Sequence, residues 1–181
     1  MSTSVEEFAR NLSRQPWLIP LICVAADKST TRVFDATPDR EYVTSPGRTA
    51  VRTNHNLVPE LRHVAPTLDE YPSTHHRYQR ATQLLNKHTD WTFEGLAGLA
   101  ADHDGYPQSS ICRHPGPDGK SQTLYSVTMR INDGVALALL GNPCESAGAL
   151  SDGPRPDLSD GSVVIVEGHS GTRLSAIPHA P

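Results

Sequence analysis

The sequence has no long apolar run and no cluster of basic residues. Its longest nearly continuous apolar stretch, residues 17–26 (WLIPLICVAA), is about half as long as the roughly 20 residues that span a membrane. Lys and Arg number 16 against 20 Asp and Glu, so the formal net charge is -4. Nucleic acids and anionic membranes are bound through clustered positive charge. We therefore expect neither nucleic acid nor membrane as a partner.

Cysteine is scarce, and its spacing argues against cross-links and metal. The chain holds an odd number of cysteines without a Cys-x-x-Cys motif: Cys23, Cys112 and Cys144. This pattern does not fit a disulfide framework or a zinc cluster. The run Asp102-His103-Asp104 has ligand residue types, but adjacent side chains do not easily converge on one ion, and no spaced partner motif is present. We expect no metal ion and no other cofactor.

The first residues do not resemble an export signal. The segment from Met1 to Arg14 carries Glu6 and Glu7 and has no apolar h-region. Together with the widely spaced cysteines, this composition predicts a reduced, cytoplasmic protein.

Apolar spacing in the first third of the chain predicts one helix followed by antiparallel strands. The segment Val5–Leu12 has apolar residues at helical spacing. A capping box precedes it, formed by one of two pairs: Thr3 with Glu6, or Ser4 with Glu7. The apolar residues 17–26 predict a buried strand. Shorter strands separated by Pro-containing turns are expected at Thr31–Ala36, Glu41–Thr44 and Thr49–Thr53.

Two helices and a hairpin are predicted in the rest of the chain. The elements expected there are a loop over Val58–Pro72, a helix capped by Ser73 and running to about Lys87, a helix capped by Thr92 and running to Ala100, and strands at Ser110–His114, Thr123–Ile131 and Val135–Leu140. The sequence Asn132-Asp133-Gly134 between the last two strands is typical of a hairpin turn. Residues 146–181 are rich in Ser, Gly, Asp and Pro, which predicts a loosely structured tail with an edge strand at Val163–Val166.

Several short motifs occur in an order that resembles one enzyme family. They are Thr53-Asn54-His55, a helix with a basic start (His76, Arg77 and Arg80), Asp102-His103, Ser110-Ile111-Cys112-Arg113-His114 and Gly141-Asn142-Pro143-Cys144. This order, over Val5 to Cys144, resembles the acyl-coenzyme A:6-aminopenicillanic-acid acyltransferase family, which belongs to the cysteine N-terminal-nucleophile hydrolases. Choloylglycine hydrolases are more distantly similar.

The resemblance implies a fold and a chemistry. It implies an α+β fold in which residues 1–145 form part of an αββα sandwich with antiparallel sheets. It also implies attack on an amide or thioester bond by an N-terminal cysteine, which self-cleavage exposes and whose own α-amino group is the base. An acyl-enzyme forms, and water or an amine takes the acyl group. The expected partner is a small-molecule acyl or amide substrate.

The chain departs from the family pattern at the nucleophile. Its start matches the middle of the family, so we expect only the C-terminal part of the domain here. Cys23 lies in an apolar run, Cys112 on a predicted strand and Cys144 after the hairpin, and none is in the nucleophile's position. We expect the chain to be inactive alone and to pair with an N-terminal partner chain or with itself through an open sheet edge. The alternatives are a non-enzymatic binding module on the same half-fold and a plain α+β domain with an accidental resemblance.

Three side chains are candidates for the site. The resemblance implies that Asn54 donates a hydrogen bond to the carbonyl oxygen as negative charge develops on it; the alternative is an Asn that satisfies its own turn. His55 is a substrate-binding candidate or a packing residue. Gln122 stands near the hairpin where the best-known members have an arginine, and it offers hydrogen bonds without charge. Arg113 is expected to pair with Asp102.

Overall fold

The computed structural model describes residues 2–14, 18–38, 41–44, 49–64, 71–88, 90–116, 122–146, 163–167 and 173–174. The elements along the chain are α1 (Val5–Leu12), β1 (Leu21–Ala26), β2 (Thr31–Ala36), β3 (Glu41–Thr44), a 3-10 helix (Pro59–Val64), α2 (Pro72–Lys87), α3 (Phe93–Ala100), β4 (Tyr125–Arg130), β5 (Val135–Leu140), β6 (Val163–Glu167) and β7 (Arg173–Leu174). The chain divides into two compact units, Met1–Tyr78 and Gln79–Pro181, with the division inside α2.

The element content agrees with the α+β class. Helices and strands are mixed, and the strands form two small sheets with the orders β1-β2-β3 and β4-β5-β6-β7. The strand pairs are antiparallel except β5 with β6, which run parallel. The finer expectation, an αββα sandwich, stays a prediction. Among the described helices, none combines the length and apolar character needed to cross a membrane.

Helix α1 has the bounds that the sequence predicts, and Ser4 is the residue that caps it. The Ser4 hydroxyl accepts a hydrogen bond from the Glu7 backbone N–H at 3.2 Å, as a Ser at the N-cap does. The Glu7 carboxylate turns back one residue further than in a capping box, because it accepts from the backbone N–H of Thr3 at 2.7 Å. The Ser4 hydroxyl therefore satisfies one free N–H group of the helix, and the Glu7 carboxylate binds the residue before the cap.

The core of the first unit lies between α1 and the first sheet. Val5, Leu12 and Phe34 are its buried centre, and the rings of Phe8 and Phe34 meet edge to face at 5.5 Å. Aromatic pairs prefer this arrangement because the positive ring edge meets the negative face. The apolar face of α1 thus packs against Phe34 of β2.

The prediction of a buried strand over residues 17–26 is wrong in burial and in length. The strand begins at Leu21, and Leu18 and Ile19 before it are 93% and 67% exposed. Within β1, Val24 is 60% exposed, while Cys23 packs against the core. Only one face of this strand is covered by α1, so a run of apolar residues does not become a strand buried on both faces.

The strands predicted at residues 49–53 and 110–114 are also wrong, and part of the predicted loop over Val58–Pro72 is helical. Residues 49–53 and 110–114 have no strand pairing. In the second case the backbone is held instead by loop contacts, such as Cys112 N–H to the Asp102 carbonyl at 2.9 Å. The segment predicted as a loop from Val58 contains the 3-10 helix Pro59–Val64; residues 65–70 lie outside the described part.

The predicted Thr92 cap of α3 and the predicted hairpin turn are confirmed, but the predicted cap of α2 at Ser73 is wrong, because Ser73 lies inside that helix. The Thr92 hydroxyl accepts from the Gly95 backbone N–H at 3.0 Å, at the start of α3. Helix α2 begins at Pro72, one residue before the expected cap, where proline suits the first helical turn. The β4–β5 hairpin turns over Ile131 to Gly134, and Gly134 has φ 65°, a conformation that glycine adopts at little cost.

The second sheet has one buried face and one exposed apolar face. On β5, Val135, Leu137 and Leu139 are at most 2% exposed, which is the alternation of a strand with one face in the core. On the neighbouring β4, Tyr125 and Met129 are 62% and 59% exposed. Strand β4 lies at the end of the described strand order, so this apolar face borders an edge of the sheet.

The strand expected at Val163–Val166 is present as β6, but it is not an edge strand. It pairs with β5 on one side and β7 on the other. Both strands lie within 146–181, for which we expected a loosely structured tail. The boundary near residue 145 stays a prediction, and the residues around these two strands, 147–162 and 168–172, lie outside the described part.

Asp27 joins the start of α1 to the β1–β2 turn. Its carboxylate accepts from the Val5 backbone N–H at 2.9 Å, from the Ser29 hydroxyl at 2.6 Å and from the Ser29 and Thr30 backbone N–H groups at 2.8 and 2.9 Å. The bond from the Ser29 hydroxyl, followed by those from the backbone of Val5 and Ser29, holds the pKa of Asp27 well below its usual range.

We predict that Asp27→Asn destabilises the chain at neutral pH and weakens its acid sensitivity. A carboxyl with a lowered folded-state pKa stabilises the fold above its unfolded pKa of about 3.9, and this stability is lost as pH falls further. Urea unfolding at about pH 6 and about pH 3 measures the difference. The matched control is Glu60→Gln, at an exposed carboxylate of the same unit. An Asp27→Asn protein with the wild-type pH dependence would contradict this role.

Candidate functional site

The first candidate site is the Thr53-Asn54-His55 segment of the first unit. Asn54 is exposed, and its Oδ1 accepts a hydrogen bond from Arg77 Nη2 on α2 at 2.8 Å. Among the described residues, its amide N–H₂ has no hydrogen-bond partner. An amide anchored through its oxygen presents its two N–H donors outward in a fixed direction. This is the geometry that a donor to a carbonyl oxygen requires.

His55 follows Asn54 in the chain and is buried, with 5% of its surface exposed. Its Nδ1 is 3.0 Å from Thr53 Oγ1 and 3.1 Å from Thr74 Oγ1. Because the Thr53 hydroxyl donates to the Thr74 carbonyl at 3.0 Å, it accepts from the imidazole, which assigns the proton to Nδ1. The ring stacks on His75 with centroids 4.0 Å apart.

Burial and neighbouring charge keep His55 neutral. Desolvation is the main cause that lowers the pKa of His55, and electrostatic interactions with His75, Arg77 and Arg52 lower it further. The neutral, buried ring of His55 is held by Thr53 and Thr74, next to Asn54 in the chain. Contact between His55 and substrate stays a prediction.

Arg52 is held next to this segment by a buried carboxylate. Asp35 on β2 is fully buried, and its Oδ2 lies 3.4 Å from Arg52 Nη2. A buried carboxylate needs such a partner because removing a charge from water is costly. Asp35 was not among the residues predicted from the sequence, because a single carboxylate in a short strand matches no motif.

The third predicted residue, Gln122, belongs to the second unit. It is exposed and precedes β4. Its binding role stays a prediction.

The second candidate site is a cluster of two thiols and two imidazoles in the second unit. The ligand atoms of its four members all lie within 4.8 Å of one another: His103, Cys112, His114 and Cys144. His114 Nε2 is the common centre. It lies 3.1 Å from His103 Nε2, 3.3 Å from Cys144 Sγ and 3.7 Å from Cys112 Sγ. We call these four residues the thiol–imidazole cluster.

Two loops bring the cluster together. The loop after α3 folds back on itself through the Cys112 N–H bond to Asp102 and a bond from His114 N–H to the Pro107 carbonyl at 3.0 Å. Cys144 lies in a helical turn over 143–146 that follows β5. Gly141 permits the sharp entry to this turn, with φ 78° and its N–H bonded to the Leu124 carbonyl at 2.8 Å.

Asp102 fixes the loop but points away from the cluster's centre. Arg80 Nε lies 3.0 Å from its Oδ1, and Arg80 Nη2 lies 2.7 Å from its Oδ2. This paired contact is the strong form of an Arg–carboxylate interaction. Asp102 is thus paired with Arg80, where we predicted Arg113.

Asn142 sets the tautomer of His114. Its amide N–H₂ donates to the carbonyl oxygens of Arg113 and Thr123, each at 3.1 Å, and its Oδ1 accepts from His114 Nδ1 at 3.1 Å. The proton of a neutral His114 is thus on Nδ1, and the lone pair on Nε2 faces the two thiols.

Burial raises the pKa of the Cys112 thiol to about 11, opposed by a hydrogen bond from the Cys144 backbone N–H. Without another positive charge beside it, Cys112 stays protonated at neutral pH. Cys144 is half-buried and contacts the lone pair of His114.

Two chemistries fit the cluster. A thiol beside an imidazole that is oriented by an amide is the arrangement of a cysteine nucleophile with its base. Two sulfurs and two imidazole nitrogens around one point are also a ligand set for a thiophilic metal. We expected no metal because no spaced partner motif was visible. That reason does not hold, since residues 103, 112, 114 and 144 converge without such a motif.

An open depression lies beside α3, with a volume of about 320 Å³. Its apolar lining includes Leu84, Trp91 and Leu99, and Asp102 lies at its edge. A shallow apolar depression of this size accommodates a small apolar group.

The environment of His55 predicts its titration. Because its pKa is lower folded than unfolded, the unfolded chain takes up the proton first, at about pH 6.5. The fold should therefore lose stability as pH falls below about 6.5, down to the folded pKa. NMR titration of the His55 ring should give a value below its ordinary one, and His55→Gln should remove this part of the pH dependence. A ring that titrates at or above 6.5 would contradict the neutral assignment.

Comparison with known proteins places the chain in a family. No curated protein matches the chain. A model of the family described as acyl-coenzyme A:6-aminopenicillanic acid acyl-transferase matches residues 1–145. The match covers most of the chain and includes Asn54 and the whole thiol–imidazole cluster. The resemblance of the ordered motifs is thereby confirmed, and the chain belongs to the acyl-coenzyme A:6-aminopenicillanic acid acyltransferase family.

Proposed function

We propose that this chain takes part in acyl transfer or hydrolysis at an amide or thioester bond of a small molecule, with Asn54 as the donor to the carbonyl oxygen. The observation that carries the proposal is the 2.8 Å bond from Arg77 to Asn54 Oδ1. Family membership gives the class of reaction.

The anchored amide suits the developing oxyanion. When a nucleophile attacks a carbonyl, negative charge grows on the oxygen, and a donor already in place stabilises it without reorganisation. Arg77 holds the oxygen end of the amide, so the N–H₂ end faces outward. The Arg77 charge, next to this amide, further favours negative charge nearby.

We propose that the nucleophile is a cysteine other than the three in this chain. Cys23 sits on β1 against the core, and Cys112 is fully buried with a raised pKa. Cys144 shares its contact to His114 with a second imidazole and a second thiol. A partner chain with an N-terminal cysteine would complete the site, and the chain alone would be inactive.

The exposed face of β4 is the surface we propose for such a partner. Tyr125, Val127 and Met129 alternate along this strand and are 62%, 44% and 59% exposed. An apolar face beside a sheet edge favours pairing with another chain. A second copy of this chain is the alternative occupant.

A second candidate function is favoured by the 3.3 Å contact between Cys144 Sγ and His114 Nε2. In this alternative, Asn142 orients the His114 ring and His114 removes the thiol proton. Cys144 then attacks the carbonyl carbon, the amide or thioester bond breaks, the leaving amine or thiol takes the proton from His114, and an acyl-enzyme remains. The chain would then be a complete thiol acyltransferase. A binding module that holds a carbonyl compound at Asn54 without turnover is a third alternative.

We predict that N-acyl amino acids and small thioesters shift the Asn54 side-chain N–H₂ signals in an NMR titration. The Asn56 side chain is the control within the same spectrum, because it is already bonded to the Leu61 carbonyl at 3.3 Å. Asn54→Asp keeps an acceptor for Arg77 but has no N–H donor, so it should bind weakly. With the nucleophile supplied by a partner chain, the same change should lower kcat by roughly 100- to 1,000-fold. Binding that leaves the Asn54 signals unmoved would contradict the proposed role.

Labelling with an electrophilic acyl probe separates the two nucleophile candidates. Intact-mass measurement of the chain alone should give no stable acyl adduct and no turnover. A single adduct on Cys144, with turnover that disappears in His114→Gln, would instead establish the thiol acyltransferase alternative.

A further inference from the structure

We propose that the thiol–imidazole cluster is a binding site for one zinc ion, held by His103 Nε2, Cys112 Sγ, His114 Nε2 and Cys144 Sγ. The inference goes beyond acyl transfer and does not depend on it. It also departs from our expectation, from the sequence, that the chain binds no metal.

The three ligand distances from His114 Nε2 are close to the edges of a tetrahedral zinc site, and all four ligand atoms lie within 4.8 Å of one another. With Zn–N bonds of about 2.05 Å and Zn–S bonds of about 2.3 Å, a tetrahedron has N···N edges of about 3.3 Å and N···S edges of about 3.6 Å. The N···N distance between His103 and His114 is 3.1 Å. The N···S distances from His114 are 3.3 Å to Cys144 and 3.7 Å to Cys112.

The hydrogen-bond pattern leaves lone pairs directed at one point. Asn142 holds the His114 proton on Nδ1, so Nε2 offers its lone pair inward. One lone pair accepts one good hydrogen bond, but three groups converge on it: an imidazole nitrogen and two sulfurs. A cation at the centre satisfies all four atoms together.

The surroundings of the cluster are those of a metal site. A metal-bound His usually donates its second ring N–H to an oxygen that orients the ring, as His114 does to Asn142. The Cys144 backbone N–H bonds to the Cys112 sulfur, so this sulfur has a polar partner in addition to His114. Tyr106 covers the two imidazoles, with ring centroids 5.5 Å from His103 and 5.3 Å from His114.

Ligand types and number identify the metal and its role. Two thiolates with two imidazoles in a tetrahedron select zinc among common divalent ions. Four protein ligands leave no open position for substrate, which is the form of a structural zinc site. The ion would tie the loop after α3 to the turn after β5, both within the second unit.

The test uses the untagged chain, freed of metal by a chelator under reducing conditions and titrated with Co²⁺ and then Zn²⁺. We expect one ion per chain, with the intense visible absorption of tetrahedral Co²⁺ and a thiolate charge-transfer band, both abolished by Zn²⁺. Zinc should also raise the melting temperature, because an ion that binds only the folded chain stabilises it.

Single variants identify the ligands. Cys112→Ser, Cys144→Ser and His114→Gln should each lose the Co²⁺ spectrum or weaken binding at least tenfold. Cys23→Ser is the matched control, because Cys23 is half-buried like Cys144 but lies in the first unit; it should bind as the wild type does. In the wild type, zinc should slow alkylation of Cys144 and leave that of Cys23 unchanged.

The wild-type spectrum decides the matter even if a variant fails to fold. Absence of the thiolate charge-transfer band, or a spectrum that survives in Cys144→Ser and Cys112→Ser alike, would overturn the zinc site. So would a Cys112–Cys144 disulfide that persists under reducing conditions. Because these readouts do not involve acyl transfer, they fail or succeed independently of the role of Asn54.

Discussion

The two ring nitrogens of His114 have different partners, and the organisation of the second unit depends on this division. Nδ1 donates to Asn142, whose amide also binds the carbonyls of Arg113 and Thr123. Nε2 faces Cys144 Sγ at 3.3 Å. One imidazole therefore connects the loop after α3, the approach to β4 and the turn after β5. Single backbone bonds also join these segments, from Thr123 N–H to the Arg113 carbonyl and from Gly141 N–H to the Leu124 carbonyl. The polar contacts of the ring add to them.

In the first unit, side-chain contacts of Arg77 and His55 likewise hold the segment Thr53-Asn54-His55, which is neither helix nor strand. Arg77 fixes the oxygen of Asn54, and His55 fills the space beneath it with a neutral ring. An oxyanion donor is effective only if it is in place before the charge develops. In our two proposals, Asn54 serves the family's chemistry and the thiol–imidazole cluster holds a structural ion, so neither Cys112 nor Cys144 is the nucleophile.

Local signals predicted the parts of the fold that are local in origin. The bounds of α1, β2, β3 and β5 follow from apolar periodicity, and the hairpin follows from its Asn-Asp-Gly turn, because neighbouring residues determine both. The segments 49–53 and 110–114 have strand-like composition but do not pair as strands. In the second segment, the backbone N–H groups of Cys112 and His114 bond to carbonyls of the same loop instead. The bond of Arg77 to Asn54 spans 23 residues and the contact of Cys144 to His114 spans 30. Only the Cys112-x-His114 spacing hinted at the cluster, and by itself it is too common to identify a site.

X-ray absorption at the zinc edge of the zinc-loaded chain tests the central claim most directly, because it measures the ligand shell itself. We expect the zinc ion to have two sulfur neighbours at about 2.3 Å and two nitrogen neighbours at about 2.0–2.1 Å. A shell of nitrogen and oxygen alone, with no sulfur, would contradict it. That result would favour the alternative in which Cys144 and His114 carry out acyl transfer.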